Sequence, residues 1–215
     1  TESRPFVAAI TKIVSFIERL KKEGVGLEYL NIGGGLGIIY NQENPQTAQV
    51  FAGKILPLLK KSGLKIIMEP GRFIVGNAGI LVTKVLYIKK TPKKTFVIVD
   101  AGMNDLIRPA LYNAYHQILP LLTTNDQRLT TQKVDVVGPI CESADYFAKD
   151  RKIALVDVGD YLAVMSAGAY GFSMSSNYNS RRRSAEVLVV KDKAFVIRKR
   201  ESLQDLVRNE VVPSF

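Results

Sequence analysis

LKIIMEPGR, residues Leu64 to Arg72, decides how the rest of the chain is read. Leu64, Ile66, Ile67 and Met68 form an apolar run after the turn residue Gly63, which predicts a strand buried on both faces. Charge gathers at its carboxyl end, in Glu69-Pro70-Gly71-Arg72. Parallel α/β folds build their sites on the loops at that end of the strands. A carboxylate, a rigid turn, a bare backbone amide and a guanidinium collected there point to ligand chemistry. The same residues also make an ordinary strand followed by a polar turn.

Upstream, a helical pattern runs from about Pro45 to Ser62, with Ala48, Ala52, Ile55 and Leu59 on one face and Pro57 placed to kink it. Before that, a short strand from Leu27 to Ile32 opens into Gly33-Gly34-Gly35-Leu36-Gly37. The first helix starts at Ser3 and Pro5, carries Phe6, Ile10, Ile13, Ile17 and Leu20 at helical spacing, and stops at Gly24. Helix, strand, helix, strand implies parallel strands joined by right-handed crossovers. Two such strands cannot cover their own edges, and a full eightfold barrel needs about 250 residues, so residues 1–79 are expected to be the tail of something larger. The glycine run lets backbone amides approach a phosphate, or simply makes a tight turn. It lacks the acidic residue that a dinucleotide site carries about twenty positions later, so the phosphate of a smaller cofactor fits better.

After Gly79 the apolar period falls to two. Ile80–Ile88, Phe96–Asp100, Val134–Val137, Ile153–Val156, Tyr161–Met165, Val187–Val190 and Ala194–Ile197 read as strands with turn-rich links. Residues 80–215 are therefore expected to form a β domain, either a barrel or a sandwich. The fold class is α/β plus β.

The 215 residues are 47% apolar, enough for a sizeable core. No run of about 18 apolar residues and no charged-then-apolar amino terminus is present, so neither a membrane span nor a signal peptide is expected. A single cysteine, Cys141, cannot form an internal disulfide and points to a reducing, cytoplasmic setting. The chain opens at Thr1 rather than methionine, which implies residues upstream. A net charge of +10 raises a nucleic-acid reading, with clusters at Lys89, Lys90, Lys93 and Lys94, at Arg181-Arg182-Arg183 and at Arg198-Lys199-Arg200. These runs carry no interleaved aromatics and no nucleic-acid-binding motif, so they read as solvated surface. No cluster suits a metal, and His116, the sole histidine, reads as structural on a helical continuation of Leu111 and Tyr115.

Five segments then stand in a fixed order: NIGGGLG (31–37), EPGR (69–72), DAGMNDLIRPALY (100–112), GPICES (138–143) and SAGAYGFSMSSNYNSR (166–181). Together they make the chain resemble the fold-type III pyridoxal phosphate decarboxylases, and within them the diaminopimelate decarboxylases. The resemblance implies the last strands and helices of a (β/α)8 barrel of the TIM type that binds pyridoxal 5'-phosphate, followed by the β domain. It also implies that Gly34, Gly35, Gly71 and the backbone of Arg72 hold the cofactor phosphate while Glu69 keeps the ring nitrogen protonated. Arg108, with Arg72 and Tyr112 beside it, would grip a substrate carboxylate, and Tyr170 would line the cofactor and substrate pocket. Cys141 would reprotonate the α carbon, and Glu142 would contact the far amino group. Both would act in a partner subunit's site, which implies a homodimer.

By itself, Cys141 is as readily a small buried apolar group, Arg108 a surface arginine and Tyr170 a core aromatic. The lysine that links covalently to the cofactor and the histidine that stacks on it belong to earlier strands in this family, and neither is in this chain. The isolated chain is accordingly expected to be inactive. The expected reaction of the completed enzyme is decarboxylation of meso-2,6-diaminopimelate to L-lysine. The alternatives are an ornithine, arginine or carboxynorspermidine decarboxylase, and a catalytically inactive regulatory homologue.

Overall fold

The computed structural model describes residues 3–121 and 130–215; Thr1 lies outside them. The chain divides into two compact units, residues 1–77 and 78–215.

The first unit contains helix α1 (Arg4–Lys22), strand β1 (Tyr29–Asn31), helix α2 (Ala48–Ser62), strand β2 (Lys65–Ile67) and the short helix α3 (Gly71–Val75). Proline in its first turn starts α1, and Arg19, Lys21 and Lys22 near its end complement the helix dipole. Thr47 caps α2 by accepting from the Val50 amide at 3.3 Å, and Gly63 ends it in the left-handed region at φ +68°. Ile10, Val14 and Ile17 of α1 pack with Leu30, Phe51, Ile55 and Leu59, and the Phe6 and Phe51 rings meet edge to face at 5.1 Å. The buried face of α2 is therefore Phe51, Ile55 and Leu59 and does not run through Ala48, because the aromatic ring at 51 fills the space toward α1.

β1 and β2 pair in parallel, with Leu30 opposite Ile66, as the helix-strand alternation requires. The expected burial of β2 on both faces is not observed: Ile66 is 37% and Ile67 43% exposed. The sheet of this unit has two strands, and the helical core covers Leu30 of β1 while leaving β2 open.

The second unit runs β3 (Leu81–Lys90), β4 (Thr95–Val99), α4 (Arg108–Tyr112), β5 (Ile118–Pro120), β6 (Thr131–Val137), β7 (Tyr146–Ala154), β8 (Tyr161–Val164), β9 (Glu186–Val190), β10 (Lys193–Arg198) and α5 (Leu203–Val207). Six strands form one sheet in the order β5-β8-β3-β4-β6-β7, antiparallel except for the β4–β6 pair. β3 serves both halves: Leu81–Lys84 pairs with β8 and Val85–Lys90 with β4, with a register shift between Val85 and Tyr87. β5 and β7, at opposite ends of the order, touch, so the sheet curls almost closed. Inside it lie Val85, Val97, Val99, Leu106, Val134, Val136, Phe147, Leu162 and Val164. β9 and β10 form a separate hairpin whose Val187, Val189, Val196 and Ile197 stay exposed.

Two expectations need correcting here. Of the strand expected at Ile153–Val156, Ile153 and Ala154 are the end of the longer β7, which begins at Tyr146 and pairs with β6 through a charged, irregular stretch, and Leu155 and Val156 lie beyond it. His116 is not on a helix, since α4 ends at Tyr112 and Asn113 turns left-handed at φ +51°. Among the described residues no helix is long and apolar enough to cross a membrane, and no group of histidine, cysteine and acidic side chains could hold a metal.

Candidate functional site

In the first unit the glycine loop and the EPGR turn are built against one another. The ladder continues past the strand ends: Ile32 N–H donates to Ile67 O at 3.0 Å, and Glu69 N–H to Gly33 O at 2.8 Å. Asn31 uses both ends of its amide, donating from Nδ2 to Glu69 Oε1 at 2.6 Å and accepting the Gly33 amide at 2.8 Å. A Cβ at Gly34 would lie 2.2 Å from the Glu69 carbonyl oxygen, so only glycine permits the loop to sit on the turn. Gly35, at φ +91°, faces the Phe6 ring, which a Cβ would meet at 3.0 Å. Gly71 opens α3 with open space where a side chain would be, followed by Arg72. Gly34, Gly35, Glu69, Gly71 and Arg72 are thus brought to one pair of adjoining strand ends.

In the second unit, Thr83 and Asp100 fix the start of the 100–107 loop. Thr83 Oγ1 donates to Asp100 Oδ1 at 2.6 Å and accepts the Ala101 amide at 3.0 Å. Arg108 follows in the first turn of α4 and is only 8% exposed. Its Nη1 lies 3.0 Å from His116 Nε2, and its guanidinium sits 5.9 Å from the Tyr170 ring centroid. Tyr170 itself is held at φ +62°, an uncommon conformation for a bulky residue, and the next residue must be glycine because a Cβ at 171 would lie 2.3 Å from Ala167 O. Tyr112, one turn after Arg108, is 61% exposed.

Cys141 and Glu142 are exposed at the tip of the loop between β6 and β7. Beneath them Asp145 is buried, its Oδ2 accepting the Ile140 amide at 2.7 Å and its Oδ1 the Met103 amide at 2.6 Å. One carboxylate therefore ties the cysteine loop to the 100–107 loop. A Cβ at Gly138 would lie 2.3 Å from that carboxylate. Burial pushes the Asp145 carboxyl above its ordinary value of 3.8, against the two amides that favour its charge. Glu142 Oε1 accepts the Ala144 amide at 3.1 Å, which fixes the glutamate on its own loop. Asn104, also buried, accepts Arg181 Nε at 2.9 Å, while its Nδ2 finds no partner among the described residues.

Two of these residues, Asn31 and Asp145, have no role in the sequence reading, and His116 is read there only as structural. Asn31 shows as an amide ending an apolar strand, Asp145 as an acid shortly after the single cysteine, and His116 as the sole histidine, eight residues after Arg108.

Residues 12–168 match the family described as pyridoxal-dependent decarboxylase, C-terminal sheet domain. The chain belongs to this family. It is 52% identical over 204 residues to a diaminopimelate decarboxylase of Aquifex aeolicus, covering 94% of this chain and 48% of the relative. It is 49% identical to the Haemophilus influenzae enzyme of that name, with coverage of 96% and 49%. Its structure superposes with a TM-score of 0.89 on the Helicobacter pylori diaminopimelate decarboxylase complexed with L-lysine, at 43% identity, covering 98% of this chain and 51% of that one. The chain spans about half the length of the curated relatives it matches.

The family's cofactor fits the first unit's residues. Gly34 has no room for a side chain and Gly71 carries none, so both strand ends present backbone, and the first amides of α3 have no acceptor within the helix. Glu69 offers a carboxylate already oriented through one oxygen by Asn31. Backbone donors beside a fixed acid suit a phosphorylated pyridine.

Proposed function

We propose that this chain is the carboxyl-terminal half of a pyridoxal-phosphate-dependent diaminopimelate decarboxylase, converting meso-2,6-diaminopimelate to L-lysine and carbon dioxide. Residues 1–79 are then the last strands and helices of the (β/α)8 barrel, and residues 80–215 the following β domain. The observation that carries this reading is the seating of the Gly33–Gly35 loop on Glu69, which gathers phosphate donors and one acid at adjoining strand ends. The identity to diaminopimelate decarboxylases over nearly the whole chain supports the substrate.

Pyridoxal phosphate, when bound, supplies an electron sink for the charge left on the carbon that loses its carboxylate. The amides of Gly34, Gly35, Gly71 and Arg72 hold its phosphate, and Glu69 keeps a proton on its ring nitrogen. That proton gives the carboxylate a cationic partner. Arg108 takes the carboxylate that the reaction spares, a group ornithine does not offer at that position, with Arg72 and Tyr112 contributing to carboxylate binding. Tyr170 shapes the pocket beside Arg108. Glu142 holds the amino group at the far stereocentre, and the Cys141 thiol delivers a proton to the carbon left by carbon dioxide. Their exposed loop serves the site of a second subunit in a cytoplasmic homodimer, and no nucleic acid or membrane takes part.

The test uses the polypeptide completed to its relatives' length, loaded with pyridoxal phosphate. L-lysine and carbon dioxide should form from meso-diaminopimelate, and ornithine and arginine should be left untouched; turnover of those two instead assigns a sister enzyme. The chain alone should bind no cofactor covalently, and a new absorbance band on mixing the two overturns that part.

A further inference from the structure

His116 is fully buried, in the segment between α4 and β5. Its two ring nitrogens have different partners: Nε2 lies 3.0 Å from Arg108 Nη1, and Nδ1 lies 2.8 Å from the Met165 carbonyl oxygen. A guanidinium has only donors and a carbonyl only lone pairs. Nε2 must therefore accept and Nδ1 must carry the proton, which defines one neutral tautomer. Burial, and then the positive charges of Arg108 and Arg151, hold the ring's pKa below its ordinary value, in agreement with that assignment.

The backbone that carries the ring is anchored as well. The His116 carbonyl accepts Arg151 Nη1 at 2.9 Å, and the Arg151 guanidinium stacks 3.8 Å from the Tyr115 ring centroid. Arg108 thus has one Nη1 directed at His116 Nε2, and its guanidinium carbon lies over the ring of Tyr170, 5.9 Å from the centroid, on a backbone at φ +62°. A guanidinium grips a carboxylate through two parallel N–H bonds only when its plane is set, and a long side chain otherwise loses rotamer freedom on binding.

We propose that His116, as the Nδ1–H tautomer, is a positioning residue that sets the plane of the Arg108 fork for the substrate carboxylate spared by decarboxylation. This rests on the role given to Arg108 above. The spared carboxylate stays in the product, so the device also governs L-lysine binding. Cadaverine, the same diamine chain without a carboxylate, makes no demand on it.

The experiment measures equilibrium binding of L-lysine and of cadaverine to the completed, cofactor-loaded enzyme. The amide of glutamine superposes on Nε2 and that of asparagine on Nδ1, so His116→Gln keeps the acceptor for Arg108 and His116→Asn loses it. His116→Asn should weaken L-lysine roughly tenfold, the worth of a hydrogen bond to a charged group, and leave cadaverine within about twofold. His116→Gln should restore most of the loss, and the KM for meso-diaminopimelate should rise in His116→Asn with kcat nearly kept. Equal weakening of both ligands, or asparagine as good as glutamine, overturns the proposal. Arg108→Lys separates the two levels: if it does not discriminate L-lysine from cadaverine, the role of Arg108 fails. If it does and His116→Asn does not, only the present inference fails. A measurement on the unmodified enzyme needs no variant to fold: the ring 15N shifts of His116 should mark Nδ1 as protonated and Nε2 as bare near neutrality. The reverse tautomer overturns the proposal.

Discussion

Strands β2 and β4 are both short and rich in β-branched residues, yet β4 buries Val97 and Val99 completely while β2 leaves Ile66 and Ile67 in water. β4 has a bonded neighbour on each side, β3 and β6, in a sheet that curls onto itself. β2 has one neighbour, β1, and a helical layer centred elsewhere. An apolar run selects the extended conformation and requires cover, but only the topology around it provides that cover. The same difference separates the two units: the second closes its own sheet, and the first builds its core on α1 and α2 and leaves a strand bare.

The largest effect that bears on this contrast is in the closed sheet. Phe147→Ala should remove about 3–5 kcal/mol by opening a cavity among fully buried neighbours, whereas Ile67→Ala in the same chain should cost less than about 1 kcal/mol. Denaturant titration of each unit measures both; equal costs would break the contrast. Repeating Ile67→Ala in the completed polypeptide sharpens it, since a barrel that covers β2 should raise the cost to about 2–4 kcal/mol.

Next comes the close approach of the glycine loop to the turn at the open strand ends. Gly34→Ala would place a Cβ 2.2 Å from the Glu69 carbonyl oxygen and should cost about 1–3 kcal/mol as the loop lifts. Pyridoxal phosphate affinity of the completed enzyme should fall with it. Unchanged affinity, measured by fluorescence titration, would detach the loop from the cofactor.

The smallest effect is confined to the second unit. His116 is neutral when folded and has its ordinary value of 6.5 when unfolded, so the unfolded chain takes up the extra proton as pH falls below that value. Its contribution to stability is present above pH 6.5 and lost as pH falls toward its lowered folded value. Asp105 and Asp145, raised by burial from 3.8, act in the opposite sense, stabilising at low pH and losing that contribution as pH rises through their folded values. Thermal melts of the unmodified chain and of His116→Gln between pH 5 and pH 7 isolate the histidine. The slope just below pH 6.5 should flatten in the variant.

Much of the scaffold was legible because its periodicities are local. Ile10 and Ile17 lie on the buried stripe expected of α1, and the alternation of β4 sorts Val97 and Val99 inward. The strand-ending motifs were legible as well, since glycines and charges abruptly following apolar runs are visible in one dimension. What escaped depends on partners distant in sequence. The start of β7 is hidden because Lys149, Asp150, Arg151 and Lys152 look like a loop, and the pairing with β6 skips Lys149 and Asp150 at a bulge where Asp150 turns to φ +50°. Lys94 offsets the two acids at this bulge by bridging Asp135 at 2.7 Å and Asp150 at 3.3 Å. β5 is three residues long and ends in proline, which gives no pattern to read. Asp145 holds Met103 from 42 positions away, and His116 takes its carbonyl partner from 49 positions away, separations at which residue type alone is silent.

Tyr170 puts two selective pressures in opposition. At φ +62° a glycine or asparagine would relax the backbone, a gain of order 1 kcal/mol, while removing the ring beside Arg108. A library at this position sorted for thermal resistance alone should enrich the small residues, and one sorted for the decarboxylation proposed above should keep the aromatic. The backbone at residue 170 is a place where the most durable molecule and the most useful one are different molecules.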